Sequence, residues 1–233
     1  MIDWYYMYSQ RYGIFHFYLQ DKIPRDVFTP HAIFIDQSVF DEHLYKHEGE
    51  HFMSRVNVRI VNIINIIKER IETNNTEPFL FTDCDILIGP IVSQAIPIYA
   101  QHETIDMWFQ KEFTEPENKT INPGCILIRP TMKTLIFWVR VLDYMNTRHI
   151  TDMEAPNKIL GEGVDFPWQF FDLNHVNTSI TIRNWDYAIY HVLCSCINRQ
   201  QDMVNKYLEA AHMHQPLDHY ESKVLEAFGS VYW

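Results

Sequence analysis

The stretch Pro78-Phe79-Leu80-Phe81-Thr82-Asp83-Cys84-Asp85-Ile86-Leu87-Ile88-Gly89-Pro90 constrains the fold of this chain more than any other. An apolar run of strand length reaches two carboxylates one residue apart, continues apolar and is stopped by Gly89-Pro90. It therefore reads as a buried strand whose C-terminal end is charged. In an open α/β sheet, ligands bind in the crevice beyond the carboxyl ends of the parallel strands. Side chains alternate along a strand, which puts Asp83 and Asp85 on one side and Cys84 on the other. Two neighbouring carboxylates repel unless a cation lies between them. A hard divalent ion held by one or two carboxylates keeps positions free for phosphate oxygens. The pattern predicts Mn2+ (or Mg2+) carrying a diphosphate. A pair of strand-end aspartates that only caps the following turn fits the same letters, and features downstream weigh against it.

With 233 residues, 47% hydrophobic and 15% aromatic, the chain can bury one sizeable core and is read as a single domain over 1–233. A formal net charge of -11 argues against nucleic acid or an anionic membrane as partner, since both require a basic face. Phosphate must instead be met locally, by a metal or a few chosen cations. The four cysteines, Cys84, Cys125, Cys194 and Cys196, form no Cys-x-x-Cys pair, so reduced thiols are expected. No apolar run reaches membrane-spanning length and no signal peptide is visible, which predicts a cytoplasmic protein with no membrane span.

Strands are expected at Ile2-Asp3-Trp4-Tyr5-Tyr6-Met7-Tyr8 and at Ala32-Ile33-Phe34-Ile35-Asp36, with Pro24 and Pro30 punctuating the loop before the second. Over residues 52–71, Val56, Ile60, Ile63, Ile64 and Ile67 recur at helical spacing and predict an amphipathic helix. Arg55 and Arg59 lie one turn apart on it, on one face. A second helix is expected near residues 91–99, then strands over 104–110 and 122–130, and a helix over 132–145. Thr151 and Glu154 fit a capping box opening a short helix. Tyr187-Ala188-Ile189-Tyr190-His191 reads as a strand ending in a histidine, and residues 200–213 as a closing helix.

In their order, residues 79–90, Asp106-x-x-Phe109-Gln110, Asn122-x-Gly124 before an apolar strand and helix, Asp152-x-Glu154-x-x-Asn157 and the late His191 resemble the nucleotide-diphospho-sugar transferase family. The similarity runs from about Phe52 onward. It implies a GT-A (Rossmann-like) α/β fold, with a mixed, mainly parallel sheet flanked by helices. It also implies a retaining glycosyltransferase that moves a sugar from a UDP- or GDP-linked donor to a glycan or protein acceptor. Carried over position by position, Asp83 and Asp85 fall on the family's Asp-x-Asp metal motif and His191 on the histidine that completes the metal site. Asp83, Arg55, Arg59 and Arg199 fall where relatives contact the nucleotide or its diphosphate. Gln110, Asn122 and Gly124 match positions lining the sugar pocket. Asp152 matches the first residue of an Asp-Gln-Asp stretch near the transferred sugar, where this chain has Met153 in place of the Gln. On chemical grounds, an oxocarbenium-like carbon favours a nearby carboxylate, which Asp152 or Glu154 could supply. A neutral imidazole such as His191 can ligate Mn2+ beside oxygen ligands.

Other chemistries remain open at this point. His47-Glu48-Gly49-Glu50-His51 satisfies the His-Glu-x-x-His pattern of zinc peptidases, although Gly49 weakens the helix that the pattern needs. A phosphatase would use Asp83 as nucleophile and Asp85 as acid, but such enzymes show Gly-Thr after the pair and this chain has Ile86-Leu87. Met153 also admits a non-catalytic nucleotide-sugar binder.

Overall fold

In the computed structural model, residues 1–35, 50–112, 119–177, 187–191 and 217–229 are described. The chain builds a central six-stranded sheet in the order β2-β1-β3-β6-β5-β7. Its strands are β1 (Ile2–Tyr8), β2 (Phe28–Phe34), β3 (Phe79–Thr82), β5 (Met107–Lys111), β6 (Ile121–Ile128) and β7 (Trp168–Phe170). Neighbours pair in parallel except at β6, which runs antiparallel to both β3 and β5. A second, three-stranded sheet has β9 (Ile189–His191) between β4 (Ile86–Ile88) and β8 (Val176–Asn177).

Alternation along β3 sorts the core into two halves. Phe79 and Phe81 enter one cluster with Ile60, Ile63 and Ile67 of α2 (Glu50–Glu72) and with Phe137, Trp138 and Val141 of α4 (Met132–Arg148). Leu80 enters the other, with Trp4, Tyr6, Leu19 of α1 (Gly13–Lys22), Ile96 of α3 (Val92–Ala100) and Tyr220 of α6 (Leu217–Phe228). The result is helix, sheet, helix in three layers, the expected mixed and mainly parallel α/β arrangement.

The helical spacing of the isoleucines is realised in α2, whose buried face is Ile60, Ile63, Ile64 and Ile67. Thr131 caps α4: its hydroxyl accepts the Thr134 N–H at 3.2 Å, while the Thr134 hydroxyl accepts the Thr131 N–H at 3.0 Å. The box expected at Thr151 and Glu154 also forms, at 3.0 and 3.1 Å, and opens α5 (Glu154–Glu162).

Two expectations change. The apolar run around the aspartate pair is two strands rather than one, because Ile86, Leu87 and Ile88 pair antiparallel with β9 in the small sheet while β3 stays in the large one. Asp83-Cys84-Asp85 is the junction between them. Pro30 lies inside β2 instead of before it, tolerated because β2 is an edge strand with one side unpaired. The expected helix over residues 200–213 lies outside the described residues.

Candidate metal centre

The Asp83 N–H donates to the Gly124 carbonyl at 2.8 Å, which extends the β3–β6 pairing by one residue before the chain turns away. Cys84 then turns into the core, and Asp85 leads into β4. In the small sheet Ile86 is the register partner of His191, so β4 and β9 bring a histidine more than a hundred residues downstream beside the aspartate pair. The Nε2 atom of His191 lies 3.5 Å from a carboxylate oxygen of Asp83 and 3.5 Å from one of Asp85. One ligand atom from each of the three residues fits within 4.8 Å of the others, the only such group of three among the described residues.

Charge sharpens this geometry. Arg59, projecting from α2, bridges Asp83 at 2.5 Å and Asp152 at 2.6 Å. Three carboxylates thus face one guanidinium, which leaves a negative excess matching a divalent cation. Burial pushes the Asp83 carboxyl up, Arg59 and His191 pull it back, and Asp85 and Asp152 push it up again, to a net value of about 6. For His191, burial alone would depress the imidazole, yet the hydrogen bond and charge of Asp85 and the charge of Asp83 outweigh it and raise it. Two oxygen donors and one imidazole suit Mn2+, and suit Mg2+ when other ligands complete the shell. The residues therefore fit a divalent ion.

The floor of the centre is a bulge. Phe109 pairs with Ile126 but Gln110 already pairs with Asn122, so Pro123-Gly124-Cys125 is extra chain on β6, and a proline is accommodated in mid-sheet. Asn122 locks the bulge: its Oδ1 accepts the Gly124 N–H at 2.7 Å and its Nδ2 donates to Glu112 at 2.5 Å. A methyl group on Gly124 would stand 2.1 Å from Cε1 of His191 and 2.6 Å from its Nδ1. Glycine is the residue that lets the ring lie there.

Asp83, Asp85, His191, Arg59, Asp152, Gln110, Asn122 and Gly124 are thus brought together. Glu154 is not, since its carboxylate accepts the Thr151 N–H and is exposed. Arg55 lies on α2, but its side chain is outside the described residues, as are Arg199, His47 and Glu48. Glu112 escaped the sequence reading. Its place two residues after Gln110, just past the end of β5, was the available signal.

Comparison with solved structures identifies the fold as that of the GT-A glycosyltransferases. A glycosyltransferase involved in glycosylation of the major capsid of PBCV-1 superposes with a TM-score of 0.56 and 14% identity, covering 86% of this chain and 98% of that one. The glycosyltransferase GlyE of Streptococcus pneumoniae gives 0.56 at 9% identity, covering 98% of this chain and 63% of GlyE. The galactosyltransferase LgtC, solved with donor and acceptor sugar analogues, gives 0.50 at 10% identity, with 99% and 97% covered. No sequence-family model matches the chain, and no curated protein sequence does. Among the described residues, no helix is long and apolar enough to cross a membrane.

Proposed function

We propose that a chain with this GT-A fold and this acidic centre is a metal-dependent glycosyltransferase. It moves a sugar, with retention at the anomeric carbon, from a UDP- or GDP-linked donor to a glycan or protein acceptor. The observation that carries the proposal is the convergence of Asp83, Asp85 and His191 at the C-terminal end of β3, the edge at which α/β sheets take their ligands. Asp83, Asp85 and His191 would hold Mn2+ or Mg2+. When bound, such an ion stabilises the negative charge that develops on a departing diphosphate.

The chain's own groups supply the rest. Arg59 holds Asp152 and Asp83 in fixed relation, so Asp152 is presented as the carboxylate facing an electron-poor sugar carbon. Because Glu154 closes a capping box, Asp152 is the better candidate of the two. Asn122 and Gly124 form a rigid floor for the sugar, and Arg55 and Arg199 are proposed diphosphate contacts. Met153, beside Asp152, keeps a non-catalytic donor binder as the second reading. The zinc and phosphatase alternatives draw no support from a GT-A fold.

The test is donor binding and hydrolysis across a panel of nucleotide sugars with and without Mn2+. Wild-type protein should release UDP or GDP only with the metal. Asp85→Ala should abolish metal-dependent donor binding, and full activity in that variant refutes the site. Donor binding without turnover would instead select the second reading.

A further inference from the structure

Gln110 is fully buried, with no exposed surface to offer a sugar. Among the described residues its carboxamide meets the Nδ1 atom of His191, with Nε2 at 3.0 Å and Oε1 at 3.3 Å. The opposite ring nitrogen, Nε2, is the one aimed at Asp83 and Asp85. We infer that Gln110 is a positioning residue for the metal centre, whose carboxamide oxygen accepts the Nδ1–H of His191 whenever Nε2 of that ring ligates a cation.

A neutral imidazole has one N–H and one lone pair. A ring that ligates through Nε2 spends its lone pair there and must carry its proton on Nδ1, where an acceptor has to meet it. Among the described residues, Gln110 is the side chain that hydrogen-bonds Nδ1, and its Oε1 supplies that acceptor. Without a cation the neutral ring does better with its proton on Nε2, against the two carboxylates, and then Nδ1 accepts from the Gln110 amide N–H. For a ring that is neutral beforehand, ligation through Nε2 would release that proton to solvent and Nδ1 would take one up from solvent, so the proton count of the ring would not change. A half-turn of the carboxamide exchanges its two ends, and both lie within reach of Nδ1. Asn122 differs, because each end of its amide has its own fixed partner, Gly124 and Glu112. A glutamine serves both states of the histidine; a carboxylate would serve one.

This inference rests on the metal-site reading, and the experiment separates the two. Mn2+ titrations by calorimetry on wild type, Gln110→Met, Gln110→Glu and Asp85→Ala are combined with long-range 1H–15N correlation spectra of 15N-histidine protein, recorded above the imidazole titration with and without Cd2+ as a diamagnetic probe. Expected are an Mn2+ affinity about 10- to 100-fold weaker in Gln110→Met, retained affinity in Gln110→Glu, and a His191 proton that moves from Nε2 to Nδ1 when Cd2+ binds. Wild-type affinity in Gln110→Met, or a His191 tautomer indifferent to Cd2+, overturns the role of Gln110 while Asp85→Ala still abolishes binding. Undiminished Mn2+ binding in Asp85→Ala overturns both readings.

Discussion

Replacing Gly124 by alanine tests the centre with a single methyl group. That methyl would stand 2.1 Å from Cε1 of His191. Ordinary carbon–carbon contact begins near ~3.5 Å, so something must retreat by about 1.4 Å. The strand cannot readily give way, because the Gly124 carbonyl holds the Asp83 N–H at 2.8 Å and its N–H is held by Asn122 at 2.7 Å. The ring must move, leaving both Gln110 and its place between the carboxylates. Metal ligand distances tolerate shifts of only about 0.2 Å, so the imidazole ceases to ligate. The expected loss is about 100-fold in Mn2+ affinity, or about 2.7 kcal/mol. Calorimetric titration measures it, with circular dichroism to show that the variant is folded. The double variant Gly124→Ala/His191→Ala closes the reasoning: with the ring gone the methyl has room, so the double variant should bind Mn2+ no worse than His191→Ala alone. Additive losses, or wild-type affinity in folded Gly124→Ala, would refute the steric argument.

Two further outcomes follow from the charges. Arg59→Met leaves Asp83 and Asp152 without the half-buried cation that bridges them, which should destabilise the protein by up to about 3 kcal/mol, or roughly 6–12 °C in Tm for a chain of this size. Removing Arg59, which pulls the Asp83 carboxyl down, lifts its folded pKa further above the unfolded one, so the loss should be largest at alkaline pH, where the carboxylate is ionised, and shrink as the pH falls toward the range of a free carboxyl; a Tm deficit that ignores pH counts against the bridge. Mn2+ affinity itself should weaken as pH drops through about 6, where burial has placed Asp83 and where a proton competes for its ligand oxygen. Calorimetry at pH 5 and pH 8 checks this, and equal affinity at the two values would exclude Asp83 as a ligand.

The features visible in the sequence are those written in short-range pattern. The isoleucine spacing of α2, the Thr151 and Glu154 capping box and the aspartate pair between apolar runs each occupy a few neighbouring residues, and the structure contains all three. What stayed hidden depends on partners far along the chain. Nothing local to Ile86-Leu87-Ile88 says that these residues leave the main sheet, because that choice is made by pairing with Ile189-Tyr190-His191. Likewise Arg59 reads as one of two basic residues on a helix face, and only tertiary packing sets it between Asp83 and Asp152. The bulge at Pro123-Gly124-Cys125 is a third case: its meaning lies in the ring that approaches Gly124 from another strand.

The pairing of β4 with β9 has a consequence for assembly. The carboxylates belong to the middle of the chain and the imidazole to a strand that is synthesised much later, so the trio is complete only after that late strand has docked. An ion held there would clasp two distant stretches of polypeptide together. Its grip reports on whether the small sheet has closed, and its removal should loosen that sheet before it disturbs the six-stranded one.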